Sequence, residues 1–377
     1  MQAVISAFRH FQSDISEGSD TNFKVTHITT GLAHKTYCLI HNPSGRKYII
    51  QNLNPIFNFS ALNHNLQLFE QAQKIYSEKL PDYWAKVNYL SVRNSDAIIY
   101  EDSAHQSWRV MNYVEGEIFN NFDKVTPQIR LKLADSLGQA IVTFGNIINT
   151  IPVNNWLSPL PHFHDLPYHY TYLQSVLNGQ DVTLSLSQNL NVKVKLQSAL
   201  YKKDNTRIKK LLTKIEARKS LVENFIEVDL VITHGDTKIN NAIFRKEATG
   251  IWHCICLIDL DTIQPGDALD DLGDALRSIG NLGNENPKDI NAVTIDKDIV
   301  TALLSGYFGV VTPEKLSLAL KSYTKFLYML SLRFLADYLV GSKYFSSYAG
   351  QRPDLNLYRA EVQMATLEKL ESLTITI

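Results

Sequence analysis

Two short apolar runs, each stopping at acidic residues, constrain this chain more than any other feature. The first is Val231-Ile232-Thr233-His234-Gly235-Asp236-Thr237-Lys238-Ile239-Asn240-Asn241, and the second is Leu257-Ile258-Asp259-Leu260-Asp261. An apolar run broken by a Gly-Asp turn reads as a buried strand that delivers polar side chains to one edge of a packed core. Two such runs in succession predict a strand–loop–strand unit with its chemistry gathered at one end. The rest of the chain has to supply a core beneath that edge and walls around it.

At 377 residues the chain exceeds what one apolar core ordinarily organises, so two lobes are expected. After a short amphipathic lead, strand-like runs at 23–29, 35–41 and 47–53 are separated by the turn signals Thr29-Thr30-Gly31 and Asn42-Pro43-Ser44-Gly45, predicting an antiparallel meander. A helix is predicted over 60–77 from the spacing of Leu62, Leu66, Phe69 and Ala72, with Ser60 as its cap. Short strands at 97–100 and 108–113 complete a small β-rich lobe over 1–113, and Val114-Glu115-Gly116 reads as the linker. Residues 114–377 read as a larger, mainly helical lobe. Its helices are predicted at 128–150, 268–279, 299–308, 314–340 and 355–373, with an irregular insert at 151–190 and basic helical sequence over 191–226. The expected fold class is therefore α+β, with two lobes.

Composition narrows the partners. A net charge of −1 gives no basic surface for nucleic acid or for an anionic membrane. Cys38, Cys254 and Cys256 are odd in number, and Cys254-x-Cys256 has no second pair to complete a metal site, so reduced thiols in a cytoplasmic protein are expected. No basic-then-apolar leader is expected at the N-terminus. Lys325, Arg333 and Asp337 interrupt the most apolar helical stretch, so no membrane span is predicted. His162, His164 and His169 read as loop residues, and the run from Lys202 to Lys210 as a solvated helix face.

Moving a phosphoryl group requires a carboxylate to position the acceptor hydroxyl and take its proton, and hard oxygen ligands for Mg²⁺. Asp236, the amide of Asn241 and the carboxylate of Asp259 supply those groups. Lys238 is placed to offset charge on the moving group, and His234 to brace the turn. Taken together, His234-Gly235-Asp236 with Asn241 five residues on, followed by Ile258-Asp259-Leu260-Asp261, resembles the aminoglycoside phosphotransferase and choline kinase superfamily, which has a protein-kinase-like fold. The longer string from Thr233 to Asn241, with Leu257 to Thr262, looks closest to bacterial N-acetylhexosamine 1-kinases, which phosphorylate the anomeric hydroxyl of GlcNAc or GalNAc. Thr29-Thr30-Gly31, Tyr48-Ile49-Ile50-Gln51, Trp108-Arg109 and the stretch from Leu332 to Leu339 are similar to the same group.

The resemblance implies ATP and Mg²⁺ as cofactors, with Asp236 as the base and Asn241 and Asp259 as metal ligands. Asp261 is either a second metal contact or a solvated loop acid. Gly31 would lie over the ATP phosphates, the backbone from Met111 to Tyr113 would meet adenine, and Asp271 would brace the catalytic loop. Protein kinases carry a phosphate-binding lysine where this chain has Gln51, so Lys47 or Lys35 is expected to compensate, and Glu70 is the nearby candidate for a helical partner. On the acceptor side stand His234, Arg333 and Asp337, the last two alternatively forming a surface pair four residues apart. The implied partner is a small-molecule hydroxyl acceptor, an amino sugar first. A choline-, homoserine- or aminoglycoside-type acceptor, or a non-catalytic nucleotide-binding module, is the alternative. A monomer or homodimer is expected.

Overall fold

A computed structural model describes every residue except 16–18, 29–33, 123, 188–189, 225–229, 284, 346–351 and 374–377, with backbone alone at 184–187 and 190–192. Helix α1 (Gln2–Phe8) precedes strands β1 (Phe23–Ile28), β2 (Lys35–His41) and β3 (Lys47–Asn52). Helix α2 (Phe59–Ile75) follows, then β4 (Tyr100–Glu101) and β5 (Ser107–Asn112). The five strands form one antiparallel sheet in the order β1-β2-β3-β5-β4. The β2–β3 turn is made possible by Gly45 at φ +68°.

Each face of this sheet meets a different core. Phe8 and Phe11 at the N-terminus pack with Phe23, Leu39, Ile50, Trp108 and Val110, so the lead segment covers one face. The apolar side of α2, with Leu62, Leu66, Phe69 and Ala72 buried as their spacing predicts, joins the large core of the helical region. The helix is capped by Asn58, not Ser60: Asn58 is the last extended residue, and its side-chain oxygen accepts from the Ala61 amide at 3.1 Å.

The helical region comprises α3 (Pro127–Ile148), α4 (Leu166–Leu177), α5 (Ser198–Lys203), α6 (Asn205–Glu216), α7 (Ser220–Glu223), α8 (Asp270–Ile279), α9 (Lys297–Phe308), α10 (Pro313–Leu339) and α11 (Leu355–Glu371). Interspersed are β6 (Val182–Ser187), β7 (Leu190–Val194), β8 (Leu230–Thr233), β9 (Ala242–Lys246), β10 (Trp252–Leu257) and β11 (Gln264–Asp267). The segment 151–190, expected to be irregular, holds α4 and most of the β6–β7 hairpin, and β7 also takes the start of the stretch expected to be helical. Its prolines mislead because Pro167 sits in the first turn of α4, where a missing amide is harmless, and Asp165 caps that turn by accepting from the Tyr168 amide. None of the described helices is long and apolar enough to cross a membrane.

The strand–loop–strand unit consists of two interleaved antiparallel pairs, β8 with β11 and β9 with β10. Interleaving brings the β8–β9 loop and the β10–β11 loop side by side. Gly116 lets the chain leaving the five-stranded sheet run against β9, where Glu117 and Phe244 exchange backbone hydrogen bonds at 2.7 and 2.8 Å. A Cβ on Gly116 would come within 2.7 Å of the Phe244 carbonyl oxygen.

Candidate active site

The loop after β8 is held from below. Gly235 adopts φ +82°, and a Cβ there would lie 2.5 Å from the Thr262 carbonyl oxygen, so the turn needs glycine for both conformation and space. The two oxygens of Asp271, at the start of α8, accept from the His234 and Gly235 amides at 2.8 Å each. Burial still pushes the Asp271 carboxyl up to about 7, against the pull of those amides. His234 is fully buried. Its Nε2 reaches the Ile258 carbonyl at 3.1 Å and its Nδ1 accepts from the Asp236 amide at 3.2 Å. The carbonyl contact requires the proton on Nε2, and burial lowers the imidazole to about 4, keeping it neutral. His234 therefore ties the two loops together beneath the cleft and does not line the acceptor side.

Above this base, Asp236 Oδ2 accepts from Lys238 Nζ at 2.6 Å and from Asn241 Nδ2 at 2.9 Å. Burial opposes the Asp236 charge, but Lys238 outweighs it and the carboxyl is held below its ordinary value. Asn241 Nδ2 also donates to the Asp236 carbonyl at 2.8 Å, so the amide oxygen is what remains for a ligand. Burial likewise disfavours charge on Lys238, and the adjoining Asp236 and Asp259 restore it.

Asp259 leaves β10 in the left-handed region, at φ 67° and ψ 57°, which is strained for a residue with a side chain. Burial and the neighbouring Asp261 raise its carboxyl to about 6, with Lys238 opposing. A strained acid whose ionised form is disfavoured, beside a spare amide oxygen, fits a small divalent cation such as Mg²⁺.

Asp261 is not the solvated loop acid that was one expectation for it. Ligand-type atoms of His34, Asp259 and Asp261 do lie within 4.8 Å of one another. Yet Asp261 is buried, and its two oxygens are taken by the Arg109 guanidinium and by His34 Nε2. It is not solvated, and the guanidinium already answers its charge, so Asp259 is the acid of this pair left with an unanswered charge for a metal.

On the nucleotide side, Gln51 faces Arg109 across the sheet, and its Oε1 accepts from Arg109 Nε at 2.8 Å. Lys47 lies at the other end of β3, paired with Glu115 at 2.7 Å and over the Tyr113 ring, and Lys35 is exposed at the start of β2. Lys47 is thus held by Glu115, and neither lysine reaches Gln51 or Asp261 by a hydrogen bond among the described residues. Glu70 accepts from the Tyr89 amide at 2.9 Å, so it braces a loop and meets no cation from β3. Met111 pairs with Ile49 inside the sheet, and the amides of Asn112 and Tyr113 donate to the Asn88 and Lys47 carbonyls. Gly31 falls outside the described residues.

A cleft of about 1860 Å³, including its open mouth, runs past Asp236, Lys238, Asn241 and Asp259 to a second group of residues. Arg333 lies over the Phe163, Tyr344 and Phe345 rings at 4.7, 5.6 and 5.5 Å. Arg359 stands over Phe334 and donates to Asn286 at 3.0 Å. On α8, Arg277 is paired with Asp274 and Glu285. Asp337 corrects expectation: it is buried below this wall, accepting from the amides of Lys343, Tyr344 and Phe345 at 2.7 to 2.9 Å. It shapes the loop that carries Tyr344 and forms no surface pair with Arg333, beside which it lines a second cavity. Tyr344, Asp274 and Arg359 were not anticipated from sequence. Asp274-x-x-Arg277, one helical turn beyond Asp271, was the legible clue to that part of the wall.

Residues 92–292 match the model of the phosphotransferase enzyme family, APH. Among solved structures, the amicoumacin kinase hAmiN in complex with AMP-PNP, Ca²⁺ and Ami has 13% identity and a TM-score of 0.57, covering 96% of this chain and 92% of that one. A Plasmodium vivax ethanolamine kinase has 13% identity and a TM-score of 0.53, over 95% and 86% of the two chains. A Cryptosporidium parvum choline kinase has 13% identity and a TM-score of 0.52, over 98% and 95%. These likenesses concern the fold, a β-rich N-terminal sheet joined to a helical region.

Proposed function

The chain belongs to the phosphotransferase enzyme family, and we propose that it is an ATP-dependent small-molecule kinase that phosphorylates the anomeric hydroxyl of an N-acetylhexosamine. The observation carrying this reading is the joined set of Asp236, Lys238 and Asn241, hydrogen-bonded to one another beside Asp259 on the floor of an open cleft. In this reading residues 1–113 form the nucleotide side, with the backbone from Met111 to Tyr113 at adenine, and residues 114–377 carry catalysis and the acceptor.

Asp236 is ionised and half-buried, so it can accept the proton of a hydroxyl aligned for attack on the γ-phosphorus. Lys238 keeps that carboxylate charged at rest and offsets charge on the transferring group. Asn241 orients Asp236 with its nitrogen. Asp259 and Asn241 would hold Mg²⁺, which when bound neutralises charge on the phosphate oxygens. His234 and Asp271 keep the two loops in register.

At the acceptor end the acids Asp274 and Glu285 are paired with Arg277, which leaves Arg333 and Arg359 to support a neutral, polar molecule over a cation. Arg333 and Arg359 both face the cleft and rest on aromatic rings. Guanidinium groups suit carbonyl and hydroxyl oxygens and repel the ammonium of choline, ethanolamine or an aminoglycoside. An amide carbonyl and ring hydroxyls, as in an N-acetylhexosamine, match this wall.

The test is ADP release from ATP and Mg²⁺ in the presence of GlcNAc, GalNAc, choline, homoserine or an aminoglycoside. Acceleration by the two amino sugars is expected. Acceleration by a cationic acceptor alone would overturn the acceptor reading. No acceleration, with nucleotide binding intact, would favour a non-catalytic nucleotide-binding module.

A further inference from the structure

Strand β5 reads Ser107-Trp108-Arg109-Val110-Met111, and its arginine is wholly buried in an otherwise apolar stretch. Few residues are costlier to bury than an unpaired arginine, and every branch of this one is engaged. Nε donates to Gln51 Oε1 on β3, and Nη1 and Nη2 donate to the two oxygens of Asp261, a two-pronged pairing that fixes orientation as well as distance. The guanidinium also stands over the Tyr89 ring at 5.7 Å.

The carboxylate receives a further bond from the sheet side. His34 Nδ1 accepts from the Asn54 amide at 2.9 Å, which leaves the ring proton on Nε2 to be donated to Asp261 Oδ2. Arg109, Gln51, His34 and Asn54 all belong to the sheet or its immediate flanks, whereas Asp261 lies in the β10–β11 loop, two residues beyond Asp259. From the opposite side, Thr262 Oγ1 donates to the His234 carbonyl at 2.9 Å and Leu260 is buried. The short turn from Leu260 to Thr262 is thus gripped on both sides, directly after the strained backbone of Asp259. Such a conformation persists only where the surroundings over-determine it.

We propose that the Arg109–Asp261 ion pair, closed by His34 and Gln51, holds Asp259 in the conformation that binds the divalent cation, so that Arg109 is a positioning residue coupling the N-terminal sheet to the metal loop. In protein kinases a lysine occupies the position of Gln51. Here the buried cation comes from the neighbouring strand and acts on the metal loop through Asp261. This rests on the reading of Asp259 as a metal ligand.

The experiment is equilibrium binding of AMP-PNP, measured with Mg²⁺ and again with EDTA, for the wild type, Arg109→Met, Asp261→Asn, Asp259→Ala and the Arg109→Met/Asp261→Asn double variant. Thermal unfolding checks that each is folded. In the wild type Mg²⁺ should tighten binding, and Asp259→Ala should remove that gain. Arg109→Met should lose about 10- to 100-fold of the Mg²⁺-dependent gain, the range found when groups supporting a metal ligand are removed, and keep its affinity in EDTA. Asp261→Asn retains the side-chain shape and guards against a misfolded arginine variant, and it should lose the same gain. The double variant should be no worse than the more affected single one. Retention of the full Mg²⁺ gain in folded Arg109→Met or Asp261→Asn, with the gain lost in Asp259→Ala, would overturn this inference alone. An equal loss in EDTA would also overturn it, since Arg109 would then act on the phosphates directly. A full Mg²⁺ gain in Asp259→Ala, or none in the wild type, would overturn the metal reading itself and this inference with it.

Discussion

Along the outside of the helical region, α6 and α11 lie together and their charges pair in step: Arg207 with Glu361 and Asp354, Lys214 with Glu368, and Arg218 with Glu371. In the cleft, Arg109 meets Asp261 with the same kind of fork. Solvent separates the two sets. The Lys214 and Glu368 side chains are 31% and 36% exposed, whereas those of Arg109 and Asp261 are 0% and 2% exposed. Water screens and replaces partners in the ladder, so each rung adds little to stability. In the cleft, removing one member strands a buried charge that water does not reach. Charge count is therefore a poor guide to which ion pairs this chain depends on, and burial is the better one.

That contrast can be broken in three ways. Arg109→Met should cost about 3–5 kcal/mol in urea unfolding at neutral pH, because Asp261 is left buried without its main counter-charge. A cost near zero would erase the distinction. Acid should act on the cleft side next. His234 is buried and neutral, with its folded value lowered to about 4 against an ordinary 6.5. The unfolded chain then binds the extra proton, so the His234 contribution to stability is full above about pH 6.5 and is lost as the pH drops toward 4, by about 3 kcal/mol, while the raised carboxyls of Asp259 and Asp271 come to favour the folded state over the same range. His234→Gln should remove that loss, so that its stability relative to the wild type improves as the pH falls from about 6.5 to 4, even if it is less stable overall; a pH-independent difference would remove His234 as the titrating group. The smallest effect belongs to the ladder. Lys214→Ala should cost about 0.2–1 kcal/mol, and the loss should shrink further in high salt. A salt-insensitive loss as large as that of Arg109→Met would reverse the comparison.

Legibility in the sequence follows a similar division. Asp236, Asn241 and Asp259 were readable because a loop between two apolar strands fixes its own geometry over a few residues. The antiparallel sheet was readable from alternation and turn residues, and the long helices from their apolar spacing. The partners of Asp261 were not, since Arg109 and His34 reach it only after the sheet has closed over the β10–β11 loop, and no spacing in one chain encodes that contact. The one available sign was a charged residue inside the apolar strand Trp108-Arg109-Val110, which needs a buried partner. Asp337 was misread for a related reason. Its partners are backbone amides of the following loop, and helical spacing pointed instead to Arg333. Segment 151–190 hid a helix and most of a hairpin because proline and histidine were read by composition when position in the first helical turn decided the outcome.

The most direct measurement is the phosphoryl-transfer rate of Asp236→Asn with ATP, Mg²⁺ and GlcNAc, beside its affinity for AMP-PNP and Mg²⁺. Asparagine keeps an oxygen for Lys238 and the shape of the loop, and removes the negative charge and with it the ability to take a proton. Transfer slowed by about 10²–10⁴-fold, with nucleotide affinity close to that of the wild type, is the expected result. Turnover near the wild-type rate would contradict the assignment of Asp236 as the base.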